Sequence, residues 1–149
     1  MFDTFSGLPV HALIVHATVV LVPLMCLLTV LVALRPRLRE KYAWWTFTGD
    51  VLVIALVYVT MQSGEKFEER LGTNPAIERH EHLGGQLIWF VIALAVTALI
   101  VALTTERGSA LSMGGTLLSA VAAVLVLIWV VRIGHTGAEA VYGGLVTKK

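Results

Sequence analysis

Five histidines are the residues of this sequence with the clearest chemical potential, because each lies in or beside a long apolar run. They are His11, His16, His80, His82 and His135. Imidazole is largely neutral at about pH 7 and binds iron, copper and zinc. Ionisable side chains next to lipid are unfavourable unless they are used, so each histidine is a candidate functional residue.

The spacing of the histidines predicts which rings face inward. His11 and His16 are about 140° apart on a regular helix, so they point in different directions, and His16 is expected to face inward. An irregular turn at His11 would let both rings face inward. His80 and His82 are about 200° apart on a helix, so one faces its neighbours and the other faces away.

These positions predict a site for a b-type haem or a transition metal (copper, zinc or iron), used in electron transfer. Two histidines from separate helices hold a haem iron from both sides, whereas three nitrogens, or nitrogens with glutamate, hold zinc or copper. We expect His16, His80 and His135 to be ligands, with His11 as a ligand or its partner. The residues expected to orient the ligands are Gln62, Glu65, Glu81, His82 and Glu139.

A second hypothesis remains open: a non-enzymatic membrane subunit or a sensor of pH or metal, with the histidines and glutamates forming a structural network. The sequence contains no nucleophile–base motif and no glycine-rich phosphate loop, so no catalytic residue is predicted. It also lacks the Cys-x-x-Cys-His segment of covalent haem attachment, so a haem would be bound noncovalently. Whether the protein is an enzyme is left undecided.

Composition places the chain among membrane proteins. Its 149 residues are 57% hydrophobic and 14% charged, and the mean hydropathy is +0.83. The net charge of +1 and the lack of a basic stripe argue against nucleic acid as a partner. Cys26 is the single cysteine and is expected to be a buried apolar residue. The N-terminus lacks the basic region of a signal peptide, so the first apolar run is expected to remain.

The apolar runs predict an all-α fold, an integral membrane four-helix bundle forming a single domain over residues 1–149. A helix that crosses a bilayer needs roughly 20 apolar residues, and only helices or closed barrels satisfy their backbone in lipid. The second helix is expected to continue to Leu71, and the segment 72–75 to end it. No internal repeat is evident. The expected spans are 10–34, 42–63, 80–104 and 111–134.

Charge predicts the orientation of the bundle. Residues 35–41 contain four basic side chains and are expected to form a loop, which the positive-inside rule places in the cytoplasm together with Arg107. Both termini and all five histidines then lie at the outer side of the membrane. Lys148 and Lys149 alone favour the opposite side for the C-terminus.

Several short motifs resemble a family of small bacterial membrane proteins known as domain of unknown function 2231. The resemblance implies a multi-pass protein of the bacterial inner (plasma) membrane. Some relatives resemble fusions to a Rieske iron–sulfur module, which implies a redox function in the lipid bilayer. A redox protein or a respiratory complex would then be the partner. Whether the protein forms a homo-oligomer is left open. His82 does not match the family pattern, and Ala12 replaces a common proline. The matching segments are 8–17, 62–65, 69–72, His80 with Gly84, and 134–138.

Overall fold

Four long helices form almost all of the structure, a computed structural model that describes residues 4–5, 8–71, 74–105 and 110–146. A short antiparallel pair, β1 (Thr4–Phe5) and β2 (Leu8–Pro9), precedes the first helix. All four helices are long and apolar enough to cross a membrane. The predicted all-α membrane bundle is therefore confirmed. The helices are α1 (Val10–Leu34), α2 (Pro36–Leu71), α3 (Pro75–Leu103) and α4 (Ala110–Val146).

The helices run up and down and pack in chain order around a square, with α4 closing against α1 and with α1 diagonal to α3. Helices α1 and α3 begin at the same end of the bundle, where α2 and α4 end. We call this the histidine end, because His11 and His80 lie there, and the opposite one the arginine end, after Arg39. The predicted gathering of all five histidines at one end is therefore observed.

The predicted loop over residues 35–41 is wrong, because α2 begins at Pro36 and only Arg35 separates it from α1. Proline suits the first position of a helix, where its missing N–H is not needed. The backbone N–H groups of Leu38 and Arg39 both donate to the carbonyl of Arg35, at 2.9 Å each. The basic residues thus occupy the first turns of α2. Arg107, Lys148 and Lys149, the other residues of the topology prediction, lie outside the described residues.

The end of α2 and the start of α3 are both well defined. Helix α2 continues to Leu71, as predicted, and Asn74 caps α3, since its Oδ1 accepts from the N–H groups of Ala76 (2.9 Å) and Ile77 (3.0 Å). Gly72 and Thr73 lie outside the described residues. Helix α3 therefore starts at Pro75, ahead of the expected span, and His80 and His82 lie within a regular helix.

Apolar packing fills the middle of the bundle. Val22, Val57, Val91, Leu94 and Val126 are all at most 1% exposed and belong to one cluster. Cys26 is buried in the same cluster and is a free thiol, as expected. Many large apolar side chains are instead exposed on the outside of the helices, which suits a surface that faces lipid rather than water.

Candidate functional site

His11, in the first turn of α1, is held against α2. The ring is half-buried and its Nδ1 lies 3.0 Å from the Ser63 hydroxyl oxygen. Ser63 donates its own hydrogen to the carbonyl of Thr60 at 2.8 Å, so its oxygen accepts from Nδ1–H of His11. The ring also stacks on Phe67, with centroids 5.8 Å apart. These contacts fix both the orientation and the tautomer of the imidazole.

His80, near the start of α3, is held against α4 in the same way. Its ring is half-buried, and Nδ1 lies 3.1 Å from the carbonyl oxygen of Ile133 and 3.4 Å from the Thr136 hydroxyl. A carbonyl oxygen only accepts hydrogen bonds, so the proton of the neutral ring must be on Nδ1. Of the two histidines in this segment, His80 and His82, His80 is therefore the one that faces the other helices of the bundle.

A glycine makes room for each of the two rings. A Cβ built on Gly64 would lie 3.2 Å from Cε1 of His11, and one on Gly137 would lie 3.0 Å from Cε1 of His80. Both separations are tighter than ordinary van der Waals contact. Each ring can therefore approach the partner helix this closely because the partner residue lacks a side chain.

The two halves of the bundle repeat one arrangement. In each half, a histidine early in one helix is held by a hydroxyl–glycine pair late in the next. The pairs are Ser63–Gly64 and Thr136–Gly137, and the hydroxyl follows its histidine by 52 residues in the first half and 56 in the second. The repeat was not predicted, since the two-residue signal is short and the rest of the helices differ.

The arrangement leaves the same atom available on both rings. With the proton on Nδ1, each Nε2 keeps a lone pair, and nothing within the described residues hydrogen-bonds to Nε2 of His11 or of His80. Histidines that bind metals almost always donate their other N–H to an oxygen, which fixes the tautomer and orients the ring. Both rings meet this condition.

A cavity of about 960 Å³ lies between the helices at the histidine end, and both rings line it. Its wall is mostly apolar, and its volume matches that of sites for small organic ligands and cofactors, which run from about 300 to 1,000 Å³. Gly84 and Gly85 also line it, and a Cβ on either would meet nothing within 4 Å. A side chain at either position would therefore extend into open space rather than against another helix.

Acidic side chains surround the mouth of the cavity. Helix α2 has 36 residues and is about 54 Å long, so it projects beyond a hydrocarbon core of about 30 Å. Glu65, on this projecting part, lines the cavity and accepts a 3.2 Å hydrogen bond from exposed Gln62. None of the described residues lining the cavity is a lysine or arginine. The other acidic residues that line it are Glu68, Glu78 and Glu81.

The expectation that His16 faces inward is wrong. Its ring is exposed, and Nδ1 bonds only to the carbonyl of Ala12, one turn earlier on the same helix. The buried face of α1 follows His11, Thr18 and Val22, in helical steps of seven and four residues. His16 lies about 140° around the helix from His11, so with His11 facing inward it faces outward.

His135 and Glu139 are also exposed on α4, because the inward position at this level is taken by Thr136. Glu139 forms an ion pair with Arg79 at 3.6 Å rather than facing the cavity. His82 lies at the mouth, exposed, with Nε2 2.8 Å from the side-chain nitrogen of Gln86.

The rings of His16, His80 and His135 are therefore not brought together. His11 and His80 share the cavity, with the exposed His82 at its mouth. In the described parts of the chain, no group of three or more His, Cys, Asp or Glu side chains is placed to hold a metal ion. Of the histidines that line the cavity, His11 and His80 are the two whose Nδ1 atoms are held by a neighbouring helix. Ser63 and Thr136, which hold these rings, were missed as site residues.

Fold and composition define a four-helix integral membrane protein with a histidine-lined cavity at one end. The chain belongs to the family described as "Predicted membrane protein (DUF2231)", whose model matches residues 7–149. This match confirms the resemblance in the sequence motifs. No curated protein and no solved structure matches the chain.

Proposed function

We propose that the protein carries electrons within the membrane and that His11 and His80 bind a b-type haem through their Nε2 atoms. The observation that supports this is that the two imidazole rings have the same tautomer and share one cavity. Both are anchored by Nδ1, both keep a free Nε2 lone pair, and both line the same cavity. Two histidines from different helices are what a haem iron needs as axial ligands.

The number of ligands and the volume favour haem over a bare metal ion. Structural and catalytic zinc sites use three or four protein ligands, whereas only two of the imidazoles that line the cavity, those of His11 and His80, are held by a neighbouring helix. A cavity of about 960 Å³ is much larger than an ion requires. Gly84 and Gly85 leave part of it open for a flat molecule. A bound haem would supply one-electron redox chemistry; the chain supplies the ligands and the apolar surroundings.

The charge of the mouth supports a second candidate, a transition metal ion such as copper, zinc or iron, held by the same two rings and by water. Four glutamates line the cavity without a lysine or arginine among the described lining residues. This surrounding attracts a cation, whereas haem propionates carry negative charge. The ligands are the same in both cases, so one set of variants tests both.

We further propose that the histidine end faces outward from a bacterial inner membrane, where a redox protein or respiratory complex reaches the cavity. The exposed Arg35, Arg37 and Lys41 at the opposite end support a cytoplasmic position for that end under the positive-inside rule. Both chain termini then lie outside. Cysteine accessibility in intact cells, with single cysteines replacing Glu65 and Arg37, tests this orientation.

Absorption spectroscopy and metal analysis of the freshly purified full chain test the function. We expect a Soret band that is lost in His11→Ala and in His80→Ala but kept in His16→Ala and His135→Ala, which change exposed rings. Stoichiometric metal without a Soret band, lost in the same two variants, would replace haem by the metal ion. Absence of both, with lowered thermal stability in the two variants, would leave the non-enzymatic structural network.

A further inference from the structure

Buried polar side chains are concentrated toward the arginine end, away from the cavity. On α2, Arg39, Thr46 and Asp50 are spaced by seven and four residues, so they share one buried face. The neighbouring helices add further buried hydroxyls in the same half of the bundle. These are Thr29, Thr97, Ser112 and Ser119. A polar stripe thus runs along α2 from the end of the bundle to Asp50.

Asp50 is the innermost member of this stripe. It is 1% exposed; one carboxyl oxygen, Oδ2, accepts from the Thr29 hydroxyl at 2.9 Å. The other, Oδ1, is buried and has no hydrogen-bond partner. The described residues place no lysine or arginine against it, and the neighbouring titratable group is the buried thiol of Cys26 on α1. Fourteen residues separate Asp50 from Gly64, about 21 Å along the helix, so it is distinct from the histidine cavity.

An ionised carboxylate does not fit these surroundings. A buried charge needs a counter-charge or several hydrogen bonds, and a single hydroxyl donor supplies neither. A protonated carboxyl is neutral, so its burial costs much less free energy and fewer hydrogen bonds are needed to offset that cost. Ionisable residues within a membrane are rare and commonly take part in ion or proton movement.

We propose that Asp50 is a proton-binding site that exchanges its proton with water at the arginine end along the polar stripe. The proposal assigns the proton to Oδ1, because Oδ2 already accepts from Thr29 and Oδ1 has no hydrogen-bond partner. Release breaks the O–H bond of Asp50 and leaves a transient carboxylate and a hydrated proton; uptake reverses both changes. The proposal does not depend on which ligand the histidine cavity holds.

The stripe has groups that suit proton movement. The Thr46 hydroxyl donates to the carbonyl of Tyr42 at 2.9 Å, and Ser119 donates to that of Gly115 at 2.9 Å. Each oxygen keeps lone pairs that can accept another hydrogen. Between Arg39 and Asp50 the distance along α2 is about 16 Å, and Thr46 lies between them on the same face.

Infrared spectroscopy of the full chain in phosphatidylcholine vesicles tests the proposal directly. At about pH 7 we expect the carbonyl stretch of a protonated carboxyl. It should disappear in Asp50→Asn, shift in Thr29→Val, and remain in Glu139→Gln, which changes an exposed carboxylate. Transfer into heavy water should shift the band. No band in the wild type, or a band that does not respond to heavy water, would overturn the proposal.

Chemical modification gives a second measurement that needs only the wild type. An apolar carbodiimide adds the elements of a protonated carboxyl across its C=N bond and forms a stable acylurea, with no leaving group. We expect mass spectrometry to find this adduct on the peptide containing Asp50, and treatment at high pH to reduce it. If the adduct appears only on exposed glutamates, the carboxyl of Asp50 is not a proton-exchanging site.

Discussion

The Nδ1 atom of His80 lies 3.1 Å from the carbonyl oxygen of Ile133, so the backbone of α4 determines the tautomer of a ring on α3. In the other half of the bundle the Ser63 hydroxyl determines the tautomer of His11, on α1. The tautomer of His11 thus depends on a side chain that a substitution can remove. The tautomer of His80 depends on a backbone carbonyl that a substitution leaves in place.

This difference predicts unequal effects of removing the two hydroxyls. Ser63→Ala leaves Nδ1 of His11 without its acceptor, and loss of the hydrogen-bond partner of a metal-binding histidine typically lowers metal affinity about 10- to 100-fold. Thr136→Val leaves the bond from His80 to Ile133 in place, so retention of the ligand should change little. Occupancy of the purified variants, measured by absorption or metal analysis, distinguishes the two; equal losses would contradict the assignment of tautomers.

Replacing the glycines beneath the rings should displace them. In Gly64→Ala and Gly137→Ala the new methyl meets Cε1 of His11 or His80 at 3.2 or 3.0 Å. We expect each variant to be about 1–3 kcal/mol less stable than the matched control Gly84→Ala, as is typical of overpacking.

Gly84→Ala places its methyl in open space in the same cavity, and alanine favours a helix by about 1 kcal/mol over glycine. It should therefore be at least as stable as the wild type. Denaturant unfolding in detergent provides the comparison, and a Gly64→Ala variant as stable as Gly84→Ala would show that the ring of His11 moves freely.

Arg39 should be the basic residue of its segment that matters for stability. Its guanidinium donates to the carbonyl of Ala33 at the end of α1, to Ser112 and, at 2.8 Å, to the Thr116 hydroxyl. Arg39→Met would leave the carbonyl with fewer donors inside the bundle, which costs about 1–3 kcal/mol. Arg37→Met, two residues away and exposed, should change thermal stability by less than about 0.5 kcal/mol. Equal effects would contradict the buried position of Arg39.

The cap of α3 should support both the helix and the site. Asn74→Ala removes the oxygen that accepts from Ala76 and Ile77, and losses of such caps cost about 1 kcal/mol. Asn74→Ser keeps a capping oxygen and should retain most of the stability. Thermal unfolding of the two variants tests this, and identical losses would indicate that the start of α3 is held by its neighbours instead.

The helices could be predicted from sequence because length and apolarity alone define them. Their rotation about their own axes could not. The angle between His11 and His16 followed from helical geometry, but which of them faces inward depends on where α2 packs, through Ser63 and Phe67. Residue spacing within a single helix contains no information about the position of its partner.

The segment after α1 shows a different limit. Four basic residues indicated a loop, but Pro36 is well suited to begin a helix, and the guanidinium of Arg39 reaches three oxygen atoms inside the bundle. Arginine is usually assigned to the surface because it needs many acceptors. The buried acceptors come from α1 and α4 and are not visible from the local sequence.

The repeated arrangement also makes the cavity unequal on its two sides. Thr136 follows Ser63 by 73 residues, and by the same interval Ala140 is the counterpart of Phe67 in the second half. Phe67 stacks on His11, whereas its counterpart in the second half, Ala140, has only a methyl group. The cavity wall therefore has an aromatic ring on its α2 side and a methyl group at the matching position of α4, so its two sides offer a ligand different surfaces.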